Sequence, residues 1–286
     1  MSLRIGAYEI TTVIANRFRL DGGAMFGNVP KVLWNREQPA DESNRIQLAA
    51  RCLLLRGEGR IALVDTGCGT KLSEKEREIF VVDHTEDSLL TNLAAHGVQP
   101  EDVTDVIITH LHFDHAGGGT TRQSDGTVGP TFPNATYHVQ RSNLATAREP
   151  NPRERASYLA DDFEPVAEAG NLLMVKGNVQ LLPGVYAFVS HGHTTAMQSV
   201  EVRGKDANEP SLFYPADLMP TDSHLKVPYT MGYDLHAAWI LEEKQRFLEK
   251  IRPEKDFVVF EHAPKVGAVT IREGRKYHEI AEHVDL

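Results

Sequence analysis

The sequence predicts a layered α/β fold that carries its functional residues at the carboxyl ends of strands. Two stretches support that reading. An apolar run, Asp105 to Ile108, leads directly into Thr109-His110-Leu111-His112-Phe113-Asp114-His115, and a second, Val185 to Val189, leads into Ser190-His191-Gly192-His193. Ligand sites at strand carboxyl ends are the rule in layered α/β folds. The third observation is that no Pro/Gly/Ser-rich linker divides the 286 residues, so residues 1–286 are expected to form one domain.

The totals narrow the function. At 41% hydrophobic and 24% charged, the chain is of ordinary globular composition and long enough to bury an extensive core. A formal charge of −10 without a Lys/Arg cluster disfavours nucleic acid and polyanionic membrane surfaces as partners. Residues Met1 to Gly6 lack the charged start and apolar core of a secretory signal, and no stretch approaches the length of a membrane span. The expected location is therefore cytoplasmic, with Cys52 and Cys68 as free thiols and Cys68 a small filler in a tight turn. A homodimer is compatible with the sequence, but nothing in the sequence marks one.

The 109–115 stretch reads as a metal site. Imidazoles with a carboxylate and no Cys suit zinc and its first-row neighbours in an open rather than a closed structural site. Residues two apart in an extended chain point the same way, so His110 and His112 can converge on one ion while Asp114 and His115 round a turn towards another. A histidine-rich surface loop is the plain alternative. Three histidines and an aspartate behind a buried-strand signal disfavour it.

This His-x-His-x-Asp-His stretch, followed by Gly117-Gly118, resembles the signature of the metallo-β-lactamase superfamily, and four further motifs follow the family's order. Val64-Asp65-Thr66-Gly67 resembles a strand-end motif upstream, and Gly192-His193-Thr194 one downstream. Asp217 after Leu212 to Ala216, and His262 after Phe257 to Glu261, supply the last two ligand positions. The resemblance implies a four-layer αββα sandwich with two divalent ions, zinc being the expected metal. One ion would be held by His110, His112 and His193, the other by Asp114, His115 and His262, with Asp217 shared. Asp65 would accept the free ring N–H of a ligand histidine. The chain departs from many relatives where Thr195-Ala196-Met197 replaces Pro-Gly-His, and His191 is read as a non-ligand.

Taken in order, Ile5 to Arg19 reads as strand, ended by the Gly-rich turn Gly22 to Gly27 and an irregular arm to about Pro39. Long aperiodic connections are often functional, so Met25, Phe26 and Trp34 are candidate walls of a substrate pocket, with a plain surface connection as the alternative. Phe113 joins that candidate set. Ile46 to Leu55 and Ile61 to Val64 form a hairpin through Arg56-Gly57-Glu58-Gly59. Glu74 to Phe80 and Glu86 to His96 read as helices, the latter stopped by Gly97.

Gly117-Gly118-Gly119 is expected to give backbone freedom where the chain leaves the metals. Ala135 to Val139 is strand. Helices are expected over Arg141 to Arg148, Arg153 to Asp161 and Phe163 to Ala169, an insertion able to cap an active site, with Tyr158 and Phe163 read as core before pocket. Short strands follow at Leu172 to Val175, Val179 to Leu182, Val185 to Val189, Ser199 to Val202 and Ser211 to Tyr214. His224 is close enough in sequence to Asp217 to line the pocket, or else it is an exposed loop histidine. Asp234 is expected to cap a helix from His236 to Ile251 with Ala238, Leu241, Leu248 and Ile251 on one face. Phe257 to Phe260 is strand, and the polar tail from Val269 is expected to be mostly peripheral.

Function follows from charge. Two dications outweigh two carboxylates and a bridging hydroxide, leaving a cationic hole for a developing oxyanion, and they lower the pKa of bound water towards about 7. The expected enzyme is a hydrolase opening a lactone or carboxylic ester, with Asp114 orienting the hydroxide and carrying a proton. The arm from Leu20 to Trp34 resembles that of lactonase-like and methyl-parathion-hydrolase-like members, and the ligand set resembles that of N-acyl-homoserine lactonases. Those lactonases often carry a Tyr just after the bridging Asp. Here Leu218-Met219-Pro220 stands there, and Tyr214, Tyr229 or Tyr233 would have to substitute. An organophosphate triester hydrolase is the alternative, and a metal-dependent binding or sensor protein a further one.

Overall fold

A computed structural model describes residues 2–286 and arranges them as two seven-stranded sheets with helices on their outer faces. Strands β1 (Leu3–Ile5) and β2 (Tyr8–Asp21) turn through Gly6, whose φ of 56° is a left-handed conformation open to glycine. They continue antiparallel into β3 (Arg45–Gly57) and β4 (Arg60–Val64), joined by the expected hairpin. β5 (Asp105–Ile107) pairs parallel with β4. β6 (Thr120–Arg122) and β7 (Val128–Pro130) form a separate ribbon, and β8 (Thr136–Gln140) and β9 (Leu172–Val175) complete the first sheet in parallel.

The second sheet runs β10 (Val179–Leu182), β11 (Val185–Ser190), β12 (Met197–Val202), β13 (Leu212–Tyr214), β14 (Phe257–Val259), β15 (Ala268–Glu273) and β16 (His278–Val284) in spatial order, with only β13 and β14 parallel. The unbroken apolar run in β3 is explained by burial on both faces. Leu53 and Leu55 pack into the layer between the sheets with Val200, Val202 and Val258, while Cys52 and Leu54 face the opposite way, towards helices. This is the four-layer αββα arrangement.

Several elements differ from expectation. Strand β2 runs on to Asp21, whose side chain then caps a short helix, α1 (Gly22–Phe26), and α2 (Lys31–Trp34) follows, so the arm is less irregular than its composition suggests. Helix α3 (Glu74–Phe80) carries a capping box from Ser73 and Glu76, and α4 is confined to Leu89–Ala95. Between α5 (Phe113–Ala116) and α6 (Arg141–Arg148) the three glycines serve close packing rather than unusual dihedrals: a Cβ on Gly118 would lie 2.2 Å from the Thr66 carbonyl oxygen. The expected 153–161 helix is two 3₁₀ turns, Arg155–Ser157 and Ala160–Asp162, before α7 (Glu164–Glu168). The tail is not peripheral throughout, because β15 is an internal strand that buries Val269 and Ile271.

Helix α8 (Ala237–Leu248) buries Ile240, Lys244, Phe247 and Leu248, which share one face at helical spacing. Ala238 and Leu241, expected on that face, are exposed, and Asp234 does not cap the helix. The phase was hidden because the core face contains a lysine. Lys244 Nζ donates to the carbonyls of His224, at 2.9 Å, and Tyr229, fixing the loop between β13 and α8. Burial lowers its pKa from 10.5 to about 7.

In the unfolded chain this amine keeps its proton up to its ordinary range, so between the two values the unfolded state binds more protons. Stability from this site therefore rises with pH above about 7 and is lost as pH falls through that value. Lys244→Met should abolish the effect: the unfolding free-energy difference between wild type and variant should move in favour of wild type from roughly pH 6 to pH 9 in denaturant titrations. A difference that stayed flat over this range would mean that Lys244 does not titrate in the folded protein.

Candidate metal centre

Four of the candidate side chains stand three residues beyond a strand end: His110 after β5, His193 after β11, Asp217 after β13 and His262 after β14. Both sheets thus deliver residues to one edge. Asp65, just past β4, has a φ of 58°, a strained setting for a non-glycine residue that turns its carboxylate under the histidine loop. It accepts from Thr109 N and Thr109 Oγ1, both at 2.7 Å. His112 then begins helix α5, and its carbonyl accepts from His115 N and Ala116 N. That single helical turn separates Asp114 and His115 from His110 and His112.

Two groups of donors result. His110, His112 and His193 converge with donor atoms within 4.8 Å of one another, as do Asp114, His115 and His262. His112 Nδ1 lies 3.0 Å from His110 Nε2 and 3.2 Å from His193 Nε2, and His115 Nε2 lies 3.3 Å from His262 Nε2. Asp217 stands between them, with Oδ2 3.1 Å from His193 Nε2 and Oδ1 3.2 Å from His262 Nε2. All seven residues are buried.

The outer ring nitrogens decide what these contacts mean. His262 Nδ1 faces the Ala49 carbonyl at 2.8 Å, and a carbonyl only accepts, so Nδ1 carries the proton of the neutral ring and leaves Nε2 free for a cation. His193 Nδ1 donates in the same way to Asp234 Oδ1 at 3.0 Å. His115 Nδ1 faces two carboxylates, Glu261 Oε2 at 3.0 Å and Asp65 Oδ2 at 3.2 Å. As neutral rings, His115 and His262 would confront each other lone pair to lone pair at Nε2. Asp217 Oδ1 has no hydrogen-bond donor. Such an arrangement is repulsive unless cations lie between the donors, and five imidazoles with two carboxylates fit two divalent ions of the zinc type.

Electrostatics agree. Burial disfavours charge on His262 and His115, yet the Asp217 carboxylate, with Glu261, raises the pKa of His262 to about 9, and Glu261, Asp114 and Asp217 raise that of His115 well above the ordinary range. Burial pushes Asp217 up, but His193, His262 and His115 more than reverse this and hold it well below the usual carboxylate range. His110, buried among other imidazoles, is lowered well below its usual value. Without cations, protons occupy their place. Burial, with Asp65 alongside, raises Glu261 to about 8 despite the opposing His115.

Over this centre opens a cleft of about 220 Å³. Its apolar walls are Leu20, Met25, Phe80, Phe113 and Met231, with Tyr233 at the rim. Met25 and Phe113 are among the residues that line it. Phe26, Trp34 and His224 do not: Phe26 stacks between Trp34 (5.3 Å) and His224 (4.9 Å), and His224, neither exposed nor lining, faces Met25 O at 2.9 Å. They underpin the wall rather than form it. Phe163 is core, and Tyr158 is core that also touches His112, ring centroids 4.7 Å apart. His191 is exposed, with Ala196 N donating to its Nδ1.

Sequence reasoning missed Asp234 and Glu261 as partners of ring nitrogens. Glu261 had a signal, a carboxylate at the end of an apolar strand beside His262. Asp234 had none.

The sequence matches the metallo-beta-lactamase superfamily over residues 46–262. The chain belongs to the metallo-β-lactamase superfamily. Among similar proteins is an N-acyl homoserine lactonase of Bacillus cereus, 28% identical over 228 residues that cover 77% of this chain and 83% of that one. N-acyl homoserine lactonase AiiA of Bacillus thuringiensis subsp. kurstaki is 26% identical over 76% of this chain and 82% of its own. Among solved structures, a probable metal-dependent hydrolase of Staphylococcus aureus superposes with TM-score 0.87 at 26% identity, covering 99% and 100% of the two chains. AidC, a dizinc quorum-quenching lactonase in complex with a product, superposes with TM-score 0.78 at 18% identity over 100% and 98%, a likeness of fold.

As a member of this superfamily with two donor groups, the protein is expected to retain two zinc equivalents per chain by elemental analysis after loading and desalting. Loading at pH 7 should release protons, because the carboxylates hold His262 protonated up to about pH 9 in the ion-free centre. Retention of one equivalent or fewer, or no proton release in weakly buffered solution, would contradict the two-ion fit. His191→Ala should leave both equivalents in place.

Proposed function

We propose that the protein is a dimetal hydrolase that opens a lactone or related carboxylic ester, of the N-acyl-homoserine lactonase kind. The observation that carries this reading is the pair of inward-facing donor groups sharing Asp217 at the floor of an apolar cleft. In it, His110, His112 and His193 would hold one ion and Asp114, His115 and His262 the other, with Asp65 orienting His115 and Asp217 offering one oxygen to each group. When bound, two divalent cations supply an acidified water and polarise the carbonyl.

The chain's own residues supply the rest. The apolar walls exclude bulk water and receive the non-reacting part of a small ester. Asp114 is in the cleft lining and within 3.5 Å of His262 Nε2, where its carboxylate orients the nucleophile and carries a proton to the departing alkoxide. Of the three tyrosines considered, only Tyr233 reaches the cleft. Tyr214 donates to the Arg51 carbonyl at 2.7 Å, and Tyr229 packs on Phe26. Burial, with Asp21 and Asp114 near, raises Tyr233 to about 12, so its phenol stays a donor at neutral pH.

The decisive experiment is turnover of a panel of lactones, aryl esters, phosphotriesters and β-lactams with and without chelator. Lactones should be the best substrates, and chelation should abolish turnover. A preference for phosphotriesters would overturn the substrate assignment, and no chelator-sensitive turnover of any ester would favour a binding protein.

Asp114→Asn tests the proton role. An alkoxide leaving group needs a proton as the bond breaks, whereas a nitrophenolate does not, and general acid help is worth about 10²–10⁴-fold when it is needed. At equal metal content, lactone turnover should fall far more than aryl-ester turnover. Equal losses would leave Asp114 as a ligand and orienting group only.

A further inference from the structure

The ring of His112 is held unlike the others. His110 Nδ1 meets Thr109 Oγ1 at 3.1 Å, and His115, His193 and His262 each have an acceptor at the outer nitrogen, but His112 Nε2 is buried without a hydrogen-bond partner among the described residues. What it faces is Glu154 Oε1, 3.8 Å away. Glu154 belongs to the insertion between α6 and α7, lines the cleft, and is only 4% exposed.

This carboxylate is held in place. Asn151 Nδ2 donates to Oε2 at 2.5 Å, and the hydroxyl of Thr194, the residue after His193, donates to Oε1. With its proton committed to Glu154, Thr194 Oγ1 is left to accept from Tyr158 OH at 2.7 Å, while the Tyr158 ring packs against His112. A neutral imidazole carries one proton. If Nδ1 is bare towards His110 and His193, Nε2 must bear it, and a buried N–H without an acceptor is destabilising.

We propose that Glu154 is the positioning residue of His112: its carboxylate accepts the Nε2–H, fixing the tautomer that leaves Nδ1 bare towards His110 and His193. Closing to a hydrogen bond of about 3 Å requires a shift of less than about 1 Å. The insertion is then a component of the metal centre and not merely a wall of the cleft. The inference rests on the proposed reading of His112 as a ligand.

Competition with a chromophoric chelator, on the purified full chain, measures the two zinc affinities, and the visible spectrum of the cobalt-loaded protein reports ligand geometry. Glu154→Ala should weaken one equivalent about 10–100-fold, leave the other near wild type and alter the cobalt spectrum. His112→Ala should affect the same equivalent. Glu154→Gln keeps a carbonyl acceptor and should recover most of the affinity.

Wild-type affinities and spectrum in Glu154→Ala, with wild type binding two equivalents, would overturn this inference alone. A parallel fall in both affinities together with a lower melting temperature of the metal-free variant would overturn it in favour of a purely structural role, and Glu154→Gln as weak as Glu154→Ala would overturn the hydrogen-bond assignment. A wild type binding fewer than two equivalents would overturn the dimetal reading beneath it.

Discussion

Imidazoles do not hold bare nitrogens against one another of their own accord; something must grip each ring from behind. In this protein the grips are Asp234 on His193, the Ala49 carbonyl on His262, and Asp65 with Glu261 on His115. These come from β3, the ends of β4 and β14, and the loop before α8, so the site exists only where both sheets and that loop meet. The seam is tied by backbone as well: Ala49 N donates to His262 O, Arg51 N to Glu261 O, and Gln198 N to Thr109 O. Gln198 Nε2 adds bonds to Ile108 O and His138 O across the sheets. The fold's chief polar seam and the candidate metal centre are the same place.

That explains which parts were legible in the sequence. A strand followed by histidines is a local pattern, so the apolar runs before His110, His193, Asp217 and His262 revealed both the layered fold and the residues that converge. The grips are not local. Asp234 meets His193 across 41 positions, and Ala49 meets His262 across 213, with nothing in the intervening sequence to pair them. Asp234 even sat in a position that suggested a helix cap. Its carboxylate is instead divided between His193 and the Met231 amide, and the helix starts without it.

Other departures share one cause: residue type was taken for environment. Lys244, not among the residues expected on the core face of α8, is core, and two carbonyls of the loop before α8 accept from it where water does not reach. His224 reads as a pocket or surface residue but sits in an aromatic stack, bonded through both ring nitrogens to Thr221 and Met25. Exposed Ala238 and Leu241 err in the opposite sense. For Lys244 and His224 the partners are carbonyls distant in sequence, and periodicity does not record them.

The two departures from the family pattern meet at the cleft. Where a Tyr would follow the bridging Asp, Leu218 is buried in the inter-sheet core, so no phenol enters from that loop. Tyr233 enters instead from the segment before α8, beside Gly232, whose carbonyl accepts from Arg153 of the insertion. Where Pro-Gly-His would follow Thr194, Thr195-Ala196-Met197 offers no imidazole, and Thr194 turns its hydroxyl to Glu154 of the same insertion. Polar groups that the core motifs lack are thus presented by two facing surface segments joined through Arg153. Loops exchange residues more freely than the strands that deliver the histidines. The chemistry of the cleft therefore depends on the insertion and its facing loop as well as on the strands that deliver the histidines, and Glu154 of the insertion faces His112 itself.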